Sequence, residues 1–445
     1  MGTCLSLFGC GLSALSVFEL NLYTKNCLNQ FDKSNLHVRK TLRFLLIGVS
    51  ILLGLEILRG TIDIMQLRRL PTSAAPSKFP VARGVIHVHS RYTDGSGTVE
   101  EILQAARSCS LDFVVITDHN TLAARRDGYE NFHPGEPGKA GRTLLLVGEE
   151  ISTAAGHVLS IGASRSHFAP GITDISRLME NIHADSGIAI IAHPDHPRLG
   201  WKRGNFGGAD GIEIINADRE WRNDSPLEIV DAWVGELLGL PGMHYLIDAP
   251  SENLRSWDQD SAWAGLAGIG SVDAHARFRL FGETVFYFPS YARTFSLLNT
   301  FVILHEALSC DSYLARRQVV EALGKGRCFF AFQGLGDASG FEFYAENHQA
   351  VFLPHDTLFA SDSAAATLLA SAPSAENVVV QLYRNGEATE SAHTSESRIQ
   401  ITQPGVYRII VFQERPQWPW RSRRRVPWIF SNPIYVLPRH QASSG

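Results

Sequence analysis

The chain has 445 residues, 44% of them hydrophobic and 19% charged, a make-up that fits a globular protein and excludes a disordered or fibrous one. That length leaves room for about two or three domains at the usual ~100–200 residues each. A formal net charge of −5 argues against a general nucleic-acid binder, because such binding rests on neutralising phosphates with Lys and Arg.

The first informative element is an uncharged apolar run from Phe44 to Leu55, extended by Glu56-Ile57-Leu58 and preceded by Lys33, Arg39, Lys40 and Arg43. Basic residues followed by an apolar run read as a signal peptide or signal anchor. Ser73-Ala74-Ala75 lies too far downstream to serve as a close cleavage site, so an uncleaved membrane anchor is expected. The alternative is an amphipathic or buried helix. The clean run is shorter than the ~20 residues a bilayer needs, which would put Glu56 near an interface. Cys4–Phe18 is a weaker second apolar run. The positive-inside rule would place the basic stretch Lys25–Arg43 in the cytoplasm and the later domains on the extracytoplasmic (periplasmic) side. The six cysteines contain no CxxC pair, so neither a disulfide framework nor a cysteine zinc site is expected.

Pro71–Pro80 reads as a linker. Beyond it, short β-branched runs alternate with helical stretches. Strands are predicted at Gly84–His89, Asp112–Thr117, Thr143–Glu149, His157–Ile161, Ile188–Ala192, Gly211–Ile215 and Gly268–Val272, and a capping box at Thr98 and Glu101 opens a helix over Val99–Arg107. This alternation argues for a parallel α/β sheet or barrel. From about Gly340 helical periodicity gives way to strands at Phe341–Ala345, Val378–Tyr383, Arg398–Thr402, Val406–Phe412 and Ile434–Leu437. They are separated by turns at Asn385-Gly386 and Pro404-Gly405, as in a small β-sandwich.

The chemistry collects at the predicted strand ends. His87-Val88-His89 ends the first strand, and residues i and i+2 share a face, so both imidazoles can reach one metal. Asp94 follows in a Gly-containing loop. Asp118-His119 stands just past the second strand, Glu149-Glu150 ends the third, and His157 opens the fourth. His193-Pro194 ends the fifth, and Asp273-Ala274-His275 forms another i, i+2 pair. A lone His-x-His would mean little. Five such clusters in consecutive units predict a joint metal site, since buried groups of this kind cost several kcal/mol each unless paired or metal-bound.

The runs HVHSRYTDGSG, ITDHNT, GEEIS, IAHP and VDAHA, in that order over roughly Val81–Arg277, resemble the PHP (polymerase and histidinol phosphatase) domain. With the β-rich tail and its WIFSNPIYV ending, the chain looks most like the carbaryl-hydrolase (CehA/McbA-type) branch. The resemblance implies an α/β fold: a distorted seven-stranded (β/α) barrel over 81–335, with a sandwich-like all-β domain over 336–445. An N-terminal membrane-anchor region over 1–70 and the linker 71–80 would precede them. It also implies three divalent metals. The first would take His87, His89, Glu150 and Asp273. The second would take Asp94, His119 and His275, and the third would share Glu150 with His157 and His193. Glu150 is preferred to Glu149 as the last position of the family's G-x-E pattern, and Asp118 is expected to orient a neighbour or a ligand histidine.

The expected chemistry is hydrolysis by water activated between metals, with Zn²⁺, Mn²⁺ or Fe²⁺ all suited to mixed imidazole and carboxylate ligands. Glu150, Asp273 and Arg277 carry the catalytic expectation. Further contacts to a small-molecule substrate are sought at Arg91, His196, Lys202, Arg203 and Arg279, with Glu213 and Asn216 possible pocket residues. A phosphate ester or nucleotide is the favoured substrate. A carbamate, ester or amide is the runner-up, and a membrane-tethered binding or sensory protein with structural metals is the third reading.

Overall fold

A computed structural model describes residues 36–65, 77–134, 141–203, 205–220, 224–247, 250–280, 284–286, 288–359, 366–373, 377–416 and 423–438. The run Cys4–Phe18 and Ser73-Ala74-Ala75 lie outside them. The described elements group into two compact units. The smaller contains α1 (Leu36–Met65), α6 (Pro226–Leu237) and the 3₁₀ turn Gly242–Leu246. Helix α1 carries a 24-residue stretch, Leu42–Met65, long and apolar enough to cross a membrane.

The larger unit is mixed α/β. Its first strands are β1 (Val81–Val88), β2 (Phe113–Ile116), β3 (Phe132–Pro134), β4 (Arg142–Val147), β5 (Glu149–Thr153), β6 (Gly156–Ile161), β7 (Ile188–Ile191), β8 (Gly211–Asn216) and β9 (Ala267–Ser271). Helices α2 (Val99–Ser108), α3 (Ala123–Arg126), α4 (Ile175–Ala184), α5 (Ala217–Glu220) and α7 (Ser251–Ala264) are interspersed among them. Strands β2 and β7 are buried along their whole length, which is why they read as unbroken apolar runs and not as alternating ones. Helix α2 starts where Thr98 accepts from the Glu101 amide while the Glu101 carboxylate accepts from the Thr98 amide, so the predicted capping box forms.

Pairing runs β1–β2–β4 in one sheet and β5–β6–β7–β8–β9 in a second. The sheets meet twice. Val272 donates to Ile86 and a bridge joins Val88 to Ala274, while Glu150 donates to the Asp118 carbonyl beside a bridge from His119 to Glu150. The predicted single strand Thr143–Glu149 is two strands broken at Gly148. A Cβ there would stand 2.5 Å from the Ser160 carbonyl oxygen, so glycine permits the close approach at which the chain leaves β2 and takes β6 as partner. Glu149-Glu150 therefore opens a strand, where the sequence suggested it closes one.

The chain continues through β10 (Phe278–Leu280), β11 (Thr284–Phe286), α8 (Tyr291–Phe295), β12 (Asn299–Ile303), α9 (Ser312–Gly324) and β13 (Cys328–Ala331). Its last third is β-rich: β14 (Glu342–Glu346), β15 (Val351–Phe352), β16 (Thr357–Phe359), β17 (Thr367–Ser371), β18 (Val378–Arg384), β19 (Glu387–Ala392), β20 (Glu396–Gln400), β21 (Gly405–Pro416), β22 (Arg423–Ser431) and β23 (Ile434–Leu437). Strands β14, β15, β17 and β20 make their own four-stranded sheet. The others extend the sheet of β1, in the order β16-β23-β21-β22-β13-β12-β1. Stacked phenylalanines run along this join, Phe301 on Phe329 at 4.6 Å and Phe330 on Phe430 at 5.0 Å. Asn432 ties it to β9: its side chain accepts from the Gly268 amide at 2.7 Å and donates to the carbonyls of Gly268 and Cys328 at 2.8 and 3.0 Å. Cys328 is buried and Cys310 is exposed.

Candidate metal centre

Nine predicted ligands converge from seven chain segments. His87 and His89 both point inward, but not through regular strand alternation. His87 has a left-handed backbone (φ 69°), and the β1–β2 register slips between Ile86 and Val88. This bulge re-aims the end of the strand while Val88 stays in the apolar core. His193 (φ 27°) and Asp273 (φ 45°) also occupy left-handed backbone. Non-glycine residues in that region cost of order 1–3 kcal/mol each and persist where the surroundings over-determine them, commonly at functional sites.

Around Glu150 the geometry is tight. The Nε2 atoms of His87 and His89 each lie 3.2 Å from Glu150 Oε2 and 3.3 Å from Asp273 Oδ1. Ligand atoms on a tetrahedron with bonds of about 2.0–2.1 Å stand about 3.3–3.4 Å apart, and these four nitrogen–oxygen separations match that edge; His87, His89 and Glu150 form one candidate group of metal ligands. A second group joins His89, Asp94, His119 and His275, with Asp94 carboxylate oxygens 3.5, 3.6 and 3.2 Å from the three imidazoles in that order. At the other end Glu150 Oε1 meets His157 Nδ1 at 2.6 Å and His193 Nε2 at 2.9 Å. His193 also groups with His87 and Asp273, and His157 with His119 and Glu150. The Nε2 atoms of His87 and His89, together with His89 Nδ1, His193 Nδ1 and Asp94 Oδ1, are buried and accept or donate no hydrogen bond among the described residues. Buried polar atoms are paired almost without exception, so this concentration of orphans fits a cluster that holds cations.

The electrostatics agree with the geometry. Burial opposes ionisation of Glu150 and Asp273, but the surrounding imidazoles, His87 foremost, outweigh it and hold both carboxyls well below the usual range. Burial would depress His89, yet Asp273 and Glu150 hold its imidazole up at about 9. Asp94 is likewise held low, against burial, by His275, His89 and His119. His119 runs the other way: burial pushes it down more than its carboxylate neighbours lift it.

Glu149 faces away from the cluster and accepts from the Ser166 hydroxyl and the His167 amide, both at 2.7 Å. Among the described residues Asp118 makes no direct side-chain hydrogen bond to a histidine. It accepts from the Ser90 amide and hydroxyl and the Thr93 hydroxyl at 2.6–2.8 Å, and so fixes the loop that delivers Asp94. Tyr291 supports that loop from the other side, donating to the His89 carbonyl at 2.7 Å and accepting from the Gly97 amide at 3.1 Å.

Of the cations singled out in the sequence, Arg277 reaches the cluster, with Nη2 3.6 Å from Asp94 Oδ2. Arg91 is exposed and turned towards Ser96 and Glu101. His196 accepts from the amides of Arg198 and Leu199 through Nδ1, and its ring lies edge-on to His193. Arg203 lines a cavity of about 290 Å³ with Pro194, Asp195, Trp201 and Phe206, while Lys202 is exposed. The Arg279 side chain lies outside the described residues.

Two residues carry more than the sequence suggested. Glu213 is wholly buried, and its carboxylate meets His87 Nδ1 at 2.6 Å and accepts from the His193 amide at 2.7 Å. Asn216 donates to Glu213 at 3.1 Å and to Asp273 at 3.2 Å. Arg219, unmarked by any motif, sits with its buried Nε 3.7 Å from Asp195, beside His196.

No family model matches the chain. Among solved structures, a two-domain protein of Bacteroides vulgatus containing a predicted PHP-like metal-dependent phosphoesterase aligns with a TM-score of 0.38 and 14% identity, over 81% of this chain and 99% of that one. An amidohydrolase of Chromobacterium violaceum aligns with a TM-score of 0.27 and 14% identity, over 47% of this chain and 92% of that one. In sequence, 147 residues are 31% identical to the uncharacterized protein MJ1587 of Methanocaldococcus jannaschii, 30% of this chain against 80% of the relative. That coverage places the shared region across most of the relative's length, and the chain belongs to the same family as MJ1587.

Proposed function

We propose that the chain is a metal-dependent hydrolase of PHP type, most suited to a small phosphate ester or nucleotide. The observation that carries this reading is that the Nε2 atoms of His87 and His89, which have no hydrogen-bond partner among the described residues, each stand 3.2–3.3 Å from the carboxylates of Glu150 and Asp273. When bound, divalent ions supply Lewis acidity and acidify water towards neutral pH. In this reading three ions are held: one by His87, His89, Glu150 and Asp273, one by Asp94, His119 and His275, and one by Glu150, His157 and His193. Zinc, manganese and iron all suit these donors.

The chain's own residues do the rest. Glu150 presents one oxygen to each end of the cluster. Glu213 faces His87 Nδ1 and so keeps the Nε2 lone pair turned inward. Arg277 stands at the Asp94 end and Arg219 near the His193 end, where guanidinium groups can take phosphoryl oxygens. Cations at both ends favour phosphate over a carbamate or aryl ester, whose pocket would call for an apolar wall. The run of pairings β1–β2–β4 and β5 through β9, with the bridge from Val88 to Ala274, supports a distorted barrel of seven strands when β4 and β5, broken at Gly148, count as one; the β-rich end is read as a sandwich-like domain. Helix α1 is read as a membrane anchor that leaves the catalytic region outside the cytoplasm, on the strength of its apolar length and the basic residues before it.

The test is metal reconstitution followed by a screen of phosphomonoesters, phosphodiesters, carbamates, amides and aryl esters. Activity on phosphate esters that disappears in His89→Ala and Asp273→Ala is expected. Turnover confined to carbamates, amides or aryl esters would replace the phosphoesterase reading. Full rate and full metal content in both variants would remove the site itself.

A further inference from the structure

Helix α1 reaches the length needed to cross a membrane only by including a charged turn. The uncharged run Phe44–Leu55 is twelve residues, which at 1.5 Å each spans about 18 Å against a hydrocarbon core of ~30 Å. The missing ~12 Å corresponds to about eight more residues, which here are Glu56–Asp63 and include three charged side chains. Those charges do not face outward singly. Arg59 donates to Glu56 at 2.9 Å and to Asp63 at 2.8 Å, and reaches the Tyr245 hydroxyl at 3.5 Å.

Helix α6 packs on this same turn. Asp231 lies against Gly60, where a side chain on α1 would overlap the carboxylate, and a Cβ at Gly235 would sit 2.9 Å from Ile64. The other acids of α6 are also taken up by the protein. Glu228 closes a capping box with Ser225, and Glu236 accepts from the Met243 amide at 3.0 Å. Residues 224–247 contain no Lys or Arg. What α6 turns outward is apolar: Leu227, Leu237 and Leu238 are exposed, the last two at 83% and 61%, and Val230 and Trp233 are half-buried. Val230, Trp233 and Leu237 recur at i, i+3 and i+7, one stripe of a helix. A helix facing water would carry charges on that stripe.

We propose that α6 is a second membrane element, lying in the boundary between headgroups and acyl chains of a phospholipid bilayer. It covers the charged turn of α1 on one side and offers leucines and a tryptophan to lipid on the other. An insertion between β8 and β9 of the catalytic region would thereby help seat the protein on its membrane. This rests on reading α1 as an anchor.

The experiment uses the full chain reconstituted in phosphatidylcholine–phosphatidylglycerol vesicles, with a benzophenone side chain introduced at one position at a time. The positions are Leu52 on α1, Leu237 on α6 and Tyr313, an exposed residue on α9. Photolysis should attach lipid at Leu52 and Leu237, each about tenfold above Tyr313, as expected of groups at the acyl boundary. Lipid adducts at Leu52 but not at Leu237 would overturn the proposal and leave the anchor standing. Protein–protein adducts at Leu237 would overturn it in favour of self-association. Background yield at all three positions would overturn the anchor reading and this proposal together. A repeat at Leu238 guards against a single ill-placed probe.

Discussion

Replacing Glu213 by Gln tests whether the centre depends on residues outside its ligand set. The carboxylate has two oxygens with different duties: one faces His87 Nδ1 at 2.6 Å, the other accepts from the His193 amide at 2.7 Å. A glutamine can accept only through its oxygen. If that oxygen stays on His87, the side-chain amide N–H faces the His193 N–H, and a buried unpaired donor costs about 1–3 kcal/mol. If the amide flips, it donates to His87 Nδ1 and forces the proton onto Nε2. That removes the lone pair now aimed between Glu150 and Asp273. Either outcome weakens metal binding, and losses on outer carboxylates of this kind run to about 10–100-fold in affinity, or about 1.4–2.7 kcal/mol. Calorimetric metal titration with elemental analysis after dialysis measures it, and Asn216→Ala should show a smaller loss in the same direction. Wild-type affinity and stoichiometry in Glu213→Gln would refute the reasoning.

Glu149→Gln and Glu150→Gln should separate cleanly. The first should keep its metal while losing stability through the Ser166–His167 contacts; the second should lose metal, and equal metal content in the two would contradict the assignment. Arg277→Ala should raise KM for a phosphate ester about tenfold with kcat little changed, and Arg277→Lys should recover part of it; an unchanged KM would remove Arg277 from substrate binding. Asp185 supplies a pH prediction away from the centre. Burial would raise its carboxyl, but Ser164, Arg165 and His167 outweigh this and hold it down at about 2. Its contribution is therefore complete above the ordinary value near 3.8 and is lost as pH falls towards about 2. Asp185→Asn should cost about 1–2 kcal/mol at pH 6 and flatten that acid limb in denaturant unfolding; a superimposable limb would refute it.

Most residues of the candidate centre stood out because they sit where an apolar run meets a sharp local signal, such as His-x-His, His-Pro or Asp-x-His. Those patterns survive any uncertainty about strand bounds. What the residues could not reveal is how the chain turns at those points. The slip in β1 and the left-handed backbone at His87 and Asp273 have no sequence signature in non-glycine residues. Glu213 stands between isoleucines in a wholly buried strand and reads equally as a paired core acid. Gly148 looked like one more small residue, although it is where the strand changes sheets. Helix α6 was hidden for another reason: its apolar residues surround the helix more widely than one core-facing stripe, because it has both α1 and an outward apolar side to satisfy.

Asn432 has a consequence for the order in which the protein comes into being. The residue that pins β9 to β13 is made 164 residues after the glycine it binds. At ribosomal rates of about 5–20 residues per second, some 8 to 33 s separate the two. During that interval the strand leading to Asp273 and His275 lacks its lock, and β13 lacks β22. Contacts so distant in sequence also form slowly, since the loop must close before they can reward it. The strand that leads to Asp273 and His275 is thus held by a contact that can form only after 164 further residues have been made.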